Sequence, residues 1–402
     1  MVALRVAFWA FLGSKVAPAT RKVACCIKIQ HSIQLLTTVS IQIGAVFFYN
    51  YISLLGAYMI KIAFFDTHSY DKDSFKKIAD ENISITFFEM RLSKQTVNLC
   101  KGYDAVCVFV NDDVSKEVVK QLYENGVKLI ALRCAGYNNV DLTACFGKIH
   151  VVHVPAYSPN AVAEHTMALL LTSIRRIHKA YNRTRDYNFS LEGMTGFNLN
   201  GKTVGVIGTG RIGRIFADIC KGFGMNVLAY DKFPNESYGL NYVSLETLFK
   251  ESDIISLHCP LTDETKHLIN SDSIKMMKKG VVILNTSRGG LLDAEALLEG
   301  IKERKIGAAC LDVYEEESDI FFSDKSGHIL NDEVLARLIS MPNVIVTSHQ
   351  AFLTTEALDN IAETTIENIN SYFNNDEPVK NELCYCCGNM DRCRKERKAK
   401  CF

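Results

Sequence analysis

A glycine-rich turn between a strand and a helix constrains the fold of this 402-residue chain more than any other segment. The apolar run 203–207 leads directly into Gly208-Thr209-Gly210-Arg211-Ile212-Gly213, and an apolar helical pattern follows. In this context Gly208 permits a tight turn, Gly210 lets the backbone approach a pyrophosphate, and Gly213 lets the helix pack on the strand. The first turn of the helix then offers unpaired N–H groups to the phosphate. The segment therefore predicts a dinucleotide-binding site.

The residue that ends the next strand indicates which dinucleotide is bound. The run 227–230 is followed by Asp231, 18 residues after Gly213. A carboxylate at this place accepts hydrogen bonds from an adenosine ribose and repels a 2′-phosphate. The pattern favours NAD over NADP, although the positive charge of Lys232 beside Asp231 would suit the phosphate. The alternative is that Asp231 is an ordinary polar residue of a strand-end turn.

From Met59 onward the chain alternates apolar runs with amphipathic segments, which is the pattern of a parallel α/β sheet. Most of the runs contain Val, Ile and Ala with little polar alternation, as expected of strands that are buried on both faces. The sequence predicts strands at 60–65, 105–110, 129–133, 151–154, 203–207, 226–230, 254–258, 281–285, 308–313 and 344–347.

Two breaks divide this body into two parts. At the first break Ser158 is a candidate N-cap and Pro159 suits the first helical position, and a long apolar helix follows. The second break lies near 352–354, and the helical pattern at 356–373 can return the chain to the first part. We therefore expect an α/β protein with two doubly wound, Rossmann-like domains, two crossings between them, and a cleft. A leader at 1–58 and a tail at 384–402 flank this body.

The net charge of zero is a cancellation between different parts of the chain. The leader carries a net charge of +5 and the tail +4, so the body between them carries −9. A mildly acidic body argues against nucleic acid as a partner.

The leader has three interpretations. Residues 33–60 contain no charged side chain over 28 positions, which is long enough to span a bilayer, but scattered polar residues weaken that interpretation. The basic, acid-free composition also fits an organelle-targeting peptide. The interpretation we favour is that the leader is upstream sequence before a true start at Met59. The body itself is then expected to be cytoplasmic and away from the membrane.

Cysteine usage separates the body from the ends in the same way. Seven cysteines are scattered singly through the body, mostly in apolar runs. This distribution is typical of reduced, buried thiols in an intracellular protein. The tail contains Cys384, Cys386, Cys387, Cys393 and Cys401 but no histidine. Because the tail has no second paired motif, we favour exposed thiols over a zinc site and expect no metal.

Ionisable residues follow three successive strands of the second part of the body. Arg288 comes after the strand at 281–285, Glu315, Glu316 and Glu317 come after 308–313, and His349 comes after 344–347. Ligands of doubly wound sheets bind at the carboxyl ends of the strands, so these groups are expected to share one edge with the dinucleotide.

An arginine, a carboxylate and a histidine at one edge suit hydride transfer to or from a 2-oxo or 2-hydroxy acid. An arginine grips a carboxylate, and a histidine exchanges a proton with the oxygen of the substrate. A carboxylate beside the imidazole holds its orientation and stabilises its protonated form. Each residue alone is more typical of an ordinary sheet-edge position, and the joint placement is what favours a catalytic set.

Several motifs in this order resemble the D-isomer-specific 2-hydroxyacid dehydrogenase family. The resemblance runs from Met59 to about Leu383, and Phe352 is more similar to the lactate branch than to the phosphoglycerate or glyoxylate branches. The motifs are N-D-D at 111–113, L-R-C-A-G-Y-N-N-V-D at 132–141, V-P-A-Y-S-P at 154–159, N-T-S-R-G at 285–289, L-D-V-Y at 311–314 and H-Q-A-F-L-T at 349–354.

The resemblance implies an NAD-dependent enzyme that interconverts pyruvate and D-lactate. It implies that Arg288 binds the substrate carboxylate and that His349 is the acid/base. The family places the carboxylate partner of the histidine five residues after the aspartate of the D-V-Y motif, which from Asp312 gives Glu317, whereas sequence position alone leaves Glu315 and Glu316 as candidates. Substrate contacts are expected at Val110, Asn111, Tyr157 and Arg288. Cofactor contacts are expected at Gly208, Gly210, Arg211, Ile212, Gly213, Asp231, Cys259, Pro260, Thr265, Thr286, Ser287 and Asp312.

The resemblance also implies a discontinuous substrate domain, at 59–157 and 353–383, and an NAD-binding domain at 158–352. It implies a homodimer, built through the long helix after Tyr157.

Two other functions stay open: a dehydrogenase of another D-2-hydroxy acid, or a non-enzymatic, NAD-sensing, corepressor-like protein with the same fold. A membrane-tethered dehydrogenase is a third alternative for the whole chain.

Overall fold

The computed structural model describes residues 59–317, 320–375 and 379–383. The predictions for the leader and for the cysteine-rich tail lie outside the described residues. The described residues fall into two units: Met59, Ile60 and 81–83 in the first, and 61–80 with the described residues from 84 onward in the second. Within the first unit, the Ile60 N–H donates to the Asn82 carbonyl at 2.8 Å.

The second unit contains most of a six-stranded sheet. Its strand order is β13-β5-β4-β3-β1-β2, where β1 and β3 to β5 pair in parallel and β13 lies antiparallel to β5. The strands are β1 (Ile60–Phe64), β2 (Ile83–Phe87), β3 (Ala105–Val108), β4 (Leu129–Leu132), β5 (His150–Val152) and β13 (Glu382–Leu383). The helices between them are α1 (Ser69–Ile78), α2 (Lys116–Glu124) and α3 (Leu142–Cys145).

A seven-stranded parallel sheet follows in the chain. Its strand order is β12-β11-β10-β9-β6-β7-β8. All strands are parallel, and the order in which the chain adds strands reverses at β6, as in doubly wound sheets. The strands are β6 (Thr203–Ile207), β7 (Asn226–Tyr230), β8 (Asn241–Tyr242), β9 (Ile254–Leu257), β10 (Val281–Asn285), β11 (Ile306–Leu311) and β12 (Val344–Val346). The helices are α6 (Arg211–Gly222), α7 (Leu245–Glu251), α8 (Ser271–Met276), α9 (Ala294–Lys302) and α10 (Glu333–Ser340).

Apolar side chains cover both faces of this sheet. Val282 and Leu284 belong to one buried cluster, whereas Ile283 between them belongs to another. Successive side chains of a strand point to opposite faces, so the two clusters lie on opposite sides of β10. The expectation of an α/β protein with Rossmann-like parallel sheets is confirmed.

Two helices carry the chain between the sheets. The first, α4 (Pro159–Arg175), begins as predicted: the Ser158 hydroxyl accepts from the Ala161 N–H at 3.2 Å, and Pro159 is the first helical residue. It continues into α5 (Ile177–Arg185). The second, α11 (Thr355–Asn374), packs against α1 and β4 of the first sheet. The domain limits at 157 and 353 stay predictions, but both fall in the segments that join the two sheets.

The seven cysteines of the described residues are all buried and free, in agreement with the prediction for the body. Burial raises the pKa of the Cys107 and Cys134 thiols to about 12, so both are inert as nucleophiles near neutral pH.

Within the described ranges, no helix is both long and apolar enough to cross a membrane. The same ranges contain no cluster of three or more His, Cys, Asp or Glu side chains that could hold a metal ion.

Candidate active site

A cavity of about 190 Å³ lies at the carboxyl ends of strands from both sheets. The first sheet contributes the segments after β3 and β4, and the second contributes the segments after β10, β11 and β12. All the predicted substrate and catalytic residues line this cavity: Val110, Asn111, Tyr157, Arg288, Glu317 and His349.

His349 and Glu317 form a hydrogen-bonded pair at the cavity. The Nδ1 atom of His349 lies 2.8 Å from Glu317 Oε1, and Glu317 Oε2 accepts from the Tyr314 N–H at 2.9 Å. The competing carboxylate, Glu315, instead contacts Nε2 of His267 at 2.7 Å. Because Nδ1 of His349 is occupied and its Nε2 contacts no acceptor or donor among the described residues, Nε2 is the nitrogen available to a ligand.

The backbone of His349 adopts a left-handed conformation, with φ of 54°. This conformation is unfavourable for a residue with a Cβ, by about 1 kcal/mol or more. The hydrogen bond from the His349 N–H to the Asp312 carbonyl, at 2.7 Å, holds it in place. The catalytic candidate is thus fixed by the backbone of the neighbouring strand end.

Asp312 supports the same turn with its side chain. It is completely buried, and its carboxylate accepts from the Thr347 hydroxyl at 2.5 Å and from the Gln350 and Ala351 N–H groups at 2.9 Å each. Burial raises the pKa of this carboxyl, but hydrogen bonds, first from His165 of α4 and then from these groups, outweigh it and lower the pKa below its ordinary value. The carboxylate is therefore ionised, and its predicted contact with the cofactor stays a prediction.

Arg288 presents free N–H groups to the cavity. Its Nη1 donates to the Ser287 carbonyl at 2.7 Å, and the guanidinium makes no other hydrogen bond within the described residues. Its Nη2 lies so close to Gly136 that a Cβ there would approach to 3.3 Å. A half-buried guanidinium with unused donors is suited to bind a carboxylate.

Aromatic side chains form an apolar wall that the sequence did not reveal in full. The ring centroid of Phe109 lies 5.4 Å from Phe322 and 6.1 Å from Phe352, and Phe352 lies 6.1 Å from Tyr157. Phe322 also lies 5.9 Å from the His349 ring. Burial raises the pKa of Tyr157 to about 12, so its hydroxyl remains protonated. The sequence feature that could have identified Phe322 as a buried or ligand-facing residue is the apolar triplet 320–322 within an otherwise polar loop.

Arg133 is a second cation at the cavity that the sequence analysis did not single out. It is 2% exposed, stacked between Phe64 at 4.5 Å and Phe109 at 4.7 Å. Its Nη2 donates to the Asp66 carbonyl at 2.5 Å, and its Nε lies 3.4 Å from Asp71 Oδ1. Arg133 follows β4, so the strand-end rule that identified Arg288 would have found it.

A second cavity, of about 620 Å³, lies beside the glycine-rich turn. Six of the predicted cofactor residues line it: Gly208, Gly210, Asp231, Cys259, Pro260 and Thr265. Arg211 lines a neighbouring cavity, and Ile212, Gly213, Thr286, Ser287 and Asp312 line neither. Thr286 contacts Thr166 of α4 through their hydroxyls at 2.7 Å, and the Ser287 hydroxyl donates to the Cys259 carbonyl at 2.8 Å.

The glycines have the geometry that the motif predicts. Gly208 has φ of 94°, and a Cβ on Gly213 would lie 1.9 Å from the Gly208 carbonyl oxygen, so the helix can approach the strand only without a side chain there. Gly210, the N-cap of α6, has open space where its Cβ would be. The helix N-terminus and this open approach fit the pyrophosphate of a dinucleotide.

Asp231 is held rigidly at the end of β7. Its Oδ2 accepts from the Thr209 N–H at 2.7 Å and from the Thr209 hydroxyl at 3.1 Å, and its Oδ1 accepts from the Phe233 N–H at 2.9 Å. Lys232 forms an ion pair with Glu264 across the same cavity. The pair offsets the lysine charge that would suit a 2′-phosphate, so the geometry fits a ribose with a free 2′-hydroxyl.

Comparison with known proteins agrees with this geometry. Residues 167–351 match the family model described as the NAD-binding domain of D-isomer-specific 2-hydroxyacid dehydrogenases. A 2-hydroxyacid dehydrogenase homolog of Haemophilus influenzae is 54% identical over 77% of this chain and 95% of its own length. The D-lactate dehydrogenase of Escherichia coli is 51% identical over 81% of this chain and all of its own length. The structure of Aquifex aeolicus D-lactate dehydrogenase complexed with NAD and lactic acid is 35% identical, with a TM-score of 0.68, over 78% of this chain and 95% of that one.

Replacement of Asp312 tests whether this carboxylate holds the His349 turn. Asp312→Asn places an amide against the Gln350 and Ala351 N–H groups, so we expect unfolding to be easier by about 2 kcal/mol or more. Denaturant unfolding followed by circular dichroism measures the change. Asp324→Asn is the control, because Asp324 is exposed and, among the described residues, accepts only from Ser326 two positions along the chain. Equal stabilities of the two variants would contradict the assignment.

Proposed function

The chain belongs to the D-isomer-specific 2-hydroxyacid dehydrogenase family, and on that premise we propose that it is a D-lactate dehydrogenase, which converts pyruvate, NADH and a proton to D-lactate and NAD. The observation that carries the proposal is the joint placement of Arg288 and the His349–Glu317 pair in one cavity. The relatives described as D-lactate dehydrogenases support pyruvate as the substrate. The reaction regenerates NAD, as fermentation requires.

The residues around the cavity divide the reaction between them. Arg288 binds the pyruvate carboxylate through its unused N–H groups and so fixes the position of the carbonyl carbon. NADH, held at the cavity beside the glycine-rich turn, would supply the hydride for that carbon. His349 Nε2 donates its proton to the carbonyl oxygen at the same time, and Glu317 at Nδ1 holds the ring and stabilises the imidazolium that donates. The aromatic wall excludes water around the reacting atoms.

Replacement of His349 tests the acid/base assignment. His349→Gln keeps a polar side chain but removes the transferable proton, so we expect kcat for pyruvate reduction to fall by about 100-fold or more. Steady-state kinetics with NADH measures it. His267→Gln is the control, because His267 forms another histidine–glutamate pair, with Glu315, and is proposed to take no part in the chemistry. A kcat for His349→Gln within about tenfold of wild type would refute the role.

Measuring turnover of a panel of 2-oxo acids distinguishes the two alternative functions. A dehydrogenase of another D-2-hydroxy acid would prefer a branched or aromatic 2-oxo acid over pyruvate in a substrate panel. A corepressor-like protein would bind NADH tightly and turn over none of these acids.

Asp231 is proposed to select NAD by accepting from the ribose hydroxyls. Asp231→Ser removes the charge that repels a 2′-phosphate, so we expect the ratio of kcat/KM for NADH to that for NADPH to fall by about tenfold or more. Asp272→Ser, which breaks a surface pair with Lys275, should leave the ratio unchanged. An unchanged ratio in Asp231→Ser would exclude the ribose role.

A homodimer is proposed through the segment that continues α4. Along α5 and after it, Tyr187, Phe189 and Leu191 are 71–85% exposed, and Ile177 and Tyr181 are more than half exposed. So many large apolar side chains close together are typical of a protein interface.

A reducing compartment such as the cytoplasm is proposed for the body because all its described cysteines are unpaired.

Charged replacements test the dimer. Phe189→Asp with Leu191→Asp should convert the protein to a monomer in sedimentation velocity, because an interface cannot bury two unpaired carboxylates without a large cost. Ile329→Asp is the control, since Ile329 is 90% exposed but lies far along the chain from this segment. A monomeric wild type, or a double variant that sediments as a dimer, would disprove the proposed interface.

A further inference from the structure

Phe322 belongs to the loop that precedes α10, and its side chain lines the substrate cavity. The Glu317 carbonyl accepts from the Ile320 and Phe321 N–H groups at 3.0 and 2.9 Å, so the loop is fastened at Glu317. Phe321 is buried in the core of the second sheet, whereas residues 323–329 are exposed. Phe322 is thus the point at which the chain passes from the core to solvent, and the cavity lies there.

The backbone of Phe322 is left-handed, with φ of 64°. Glycine adopts this conformation freely, whereas a residue with a Cβ is strained in it. Such strain persists where the surrounding contacts offset it. The Phe322 ring has these contacts, because its centroid lies 5.4 Å from Phe109 in an edge-to-face arrangement and 5.9 Å from the His349 ring. The ring is therefore held between the first sheet and the acid/base.

The other three rings of the aromatic wall are those of Phe109, Phe352 and Tyr157, and they belong to more rigid parts of the structure. Phe109 and Phe352 are each 7% exposed. Phe109 also stacks on the Arg133 guanidinium, and Tyr157 directly precedes the N-cap of α4. Of the four rings, Phe322 alone stands next to a long exposed run of the chain. Its size can therefore change with the least effect on the core.

A 2-oxo acid has three groups on its carbonyl carbon, and the proposed function accounts for two of them. Arg288 is proposed to bind the carboxylate, and Nε2 of His349 to face the carbonyl oxygen. The third group, the side chain of the acid, points away from both, and the aromatic wall of the cavity is left to receive it. The cavity measures about 190 Å³, which is less than the about 300 Å³ or more of pockets for drug-sized ligands. The space for the side chain of the acid is therefore small.

We propose that Phe322 is a specificity-determining residue, which limits the substrate to 2-oxo acids with a short side chain such as the methyl group of pyruvate. This inference rests on the proposed function and deepens it, because it names the residue that sets the substrate class. The Phe322 ring fills space beside His349 that a longer or branched side chain would otherwise take. In an apolar pocket, one methylene changes the preference between substrates by about tenfold or more. Loss of a whole ring therefore has a measurable effect.

The test compares two acids in two variants of Phe322. Phe322→Ala removes the ring but keeps a Cβ on the strained backbone, whereas Phe322→Gly removes both the ring and the strain. For both variants we expect the ratio of kcat/KM for 2-oxo-4-methylpentanoate to that for pyruvate to rise about tenfold or more. Ile329→Ala is the matched control and should leave the ratio unchanged, because Ile329 lies on the same loop, is 90% exposed and does not line the cavity.

Three kinetic outcomes would overturn the inference. A ratio within about twofold of wild type in both Phe322 variants would exclude the ring as the limit on the side chain. An equal fall in kcat/KM for both acids, with a shifted pH profile, would show that the ring supports His349 instead. A rise of the ratio in Phe322→Gly alone would assign the effect to the backbone conformation rather than to the ring.

Binding without turnover separates this inference from the proposed function. With NAD in place of NADH neither acid can be reduced, so isothermal titration measures the Kd of each. Phe322→Ala should lower the ratio of the Kd for 2-oxo-4-methylpentanoate to the Kd for pyruvate by about tenfold or more. A wild type that binds but reduces no 2-oxo acid would refute the proposed function, and the titration would still decide the role of Phe322. An unchanged Kd ratio, or a wild type that binds neither acid, would overturn the inference.

Discussion

Asp312 lies at the carboxyl end of β11 with no exposure to solvent, and its carboxylate accepts from Thr347, Gln350 and Ala351. Those three groups belong to the turn that carries His349, so one buried charge fixes the turn after the neighbouring strand. The desolvation cost of the charge is offset because several donors converge on it. His165 of α4 lies 3.4 Å from the same carboxylate, which couples the connecting helix to the turn. The left-handed backbone of His349 can persist because the hydrogen bonds of the turn to Asp312 hold it in that conformation.

Aspartates at the ends of two other strands act in the same way. Asp231 after β7 accepts from the Thr209 and Phe233 N–H groups, and Asp112 after β3 accepts from the Phe109 and Leu92 N–H groups. Each carboxylate satisfies backbone donors that the loop cannot pair by itself, and so converts a flexible connection into a fixed one. Among the described residues, the rigid loops then leave selected groups free: the helix N-terminus after Gly210 and Nε2 of His349. Parallel strands end at a common edge, which is why these loops meet at the cavities.

The sequence predicted the parts of the site that depend on order along the chain. Arg288 and His349 were found because each follows a strand, and the glycine motif was readable because the strand and helix around it were strongly apolar. Glu317 could be separated from Glu315 by resemblance but not by pattern, since only the folded turn decides that Glu315 contacts His267. Three strands, β2, β8 and β13, were missed: β2 is only partly buried, and β8 and β13 have two residues each. Their existence depends on a neighbouring edge rather than on their own sequence.

Arg133 shows a further limit of reasoning from strand ends. It follows β4 as Arg288 follows β10, yet the two cations lie in opposite environments: Arg133 is stacked between two phenylalanine rings, whereas Arg288 keeps unused N–H groups at the cavity. Rings cover both faces of the Arg133 guanidinium, its Nη2 and Nε contact Asp66 and Asp71, and its Nη1 has no partner among the described residues. This buried cation mainly adds rigidity, whereas the half-buried Arg288 offers free donors to a ligand. The order of the strands can place both cations at the cavity, but the burial of Arg133 between two rings is what makes Arg288 the more accessible cation.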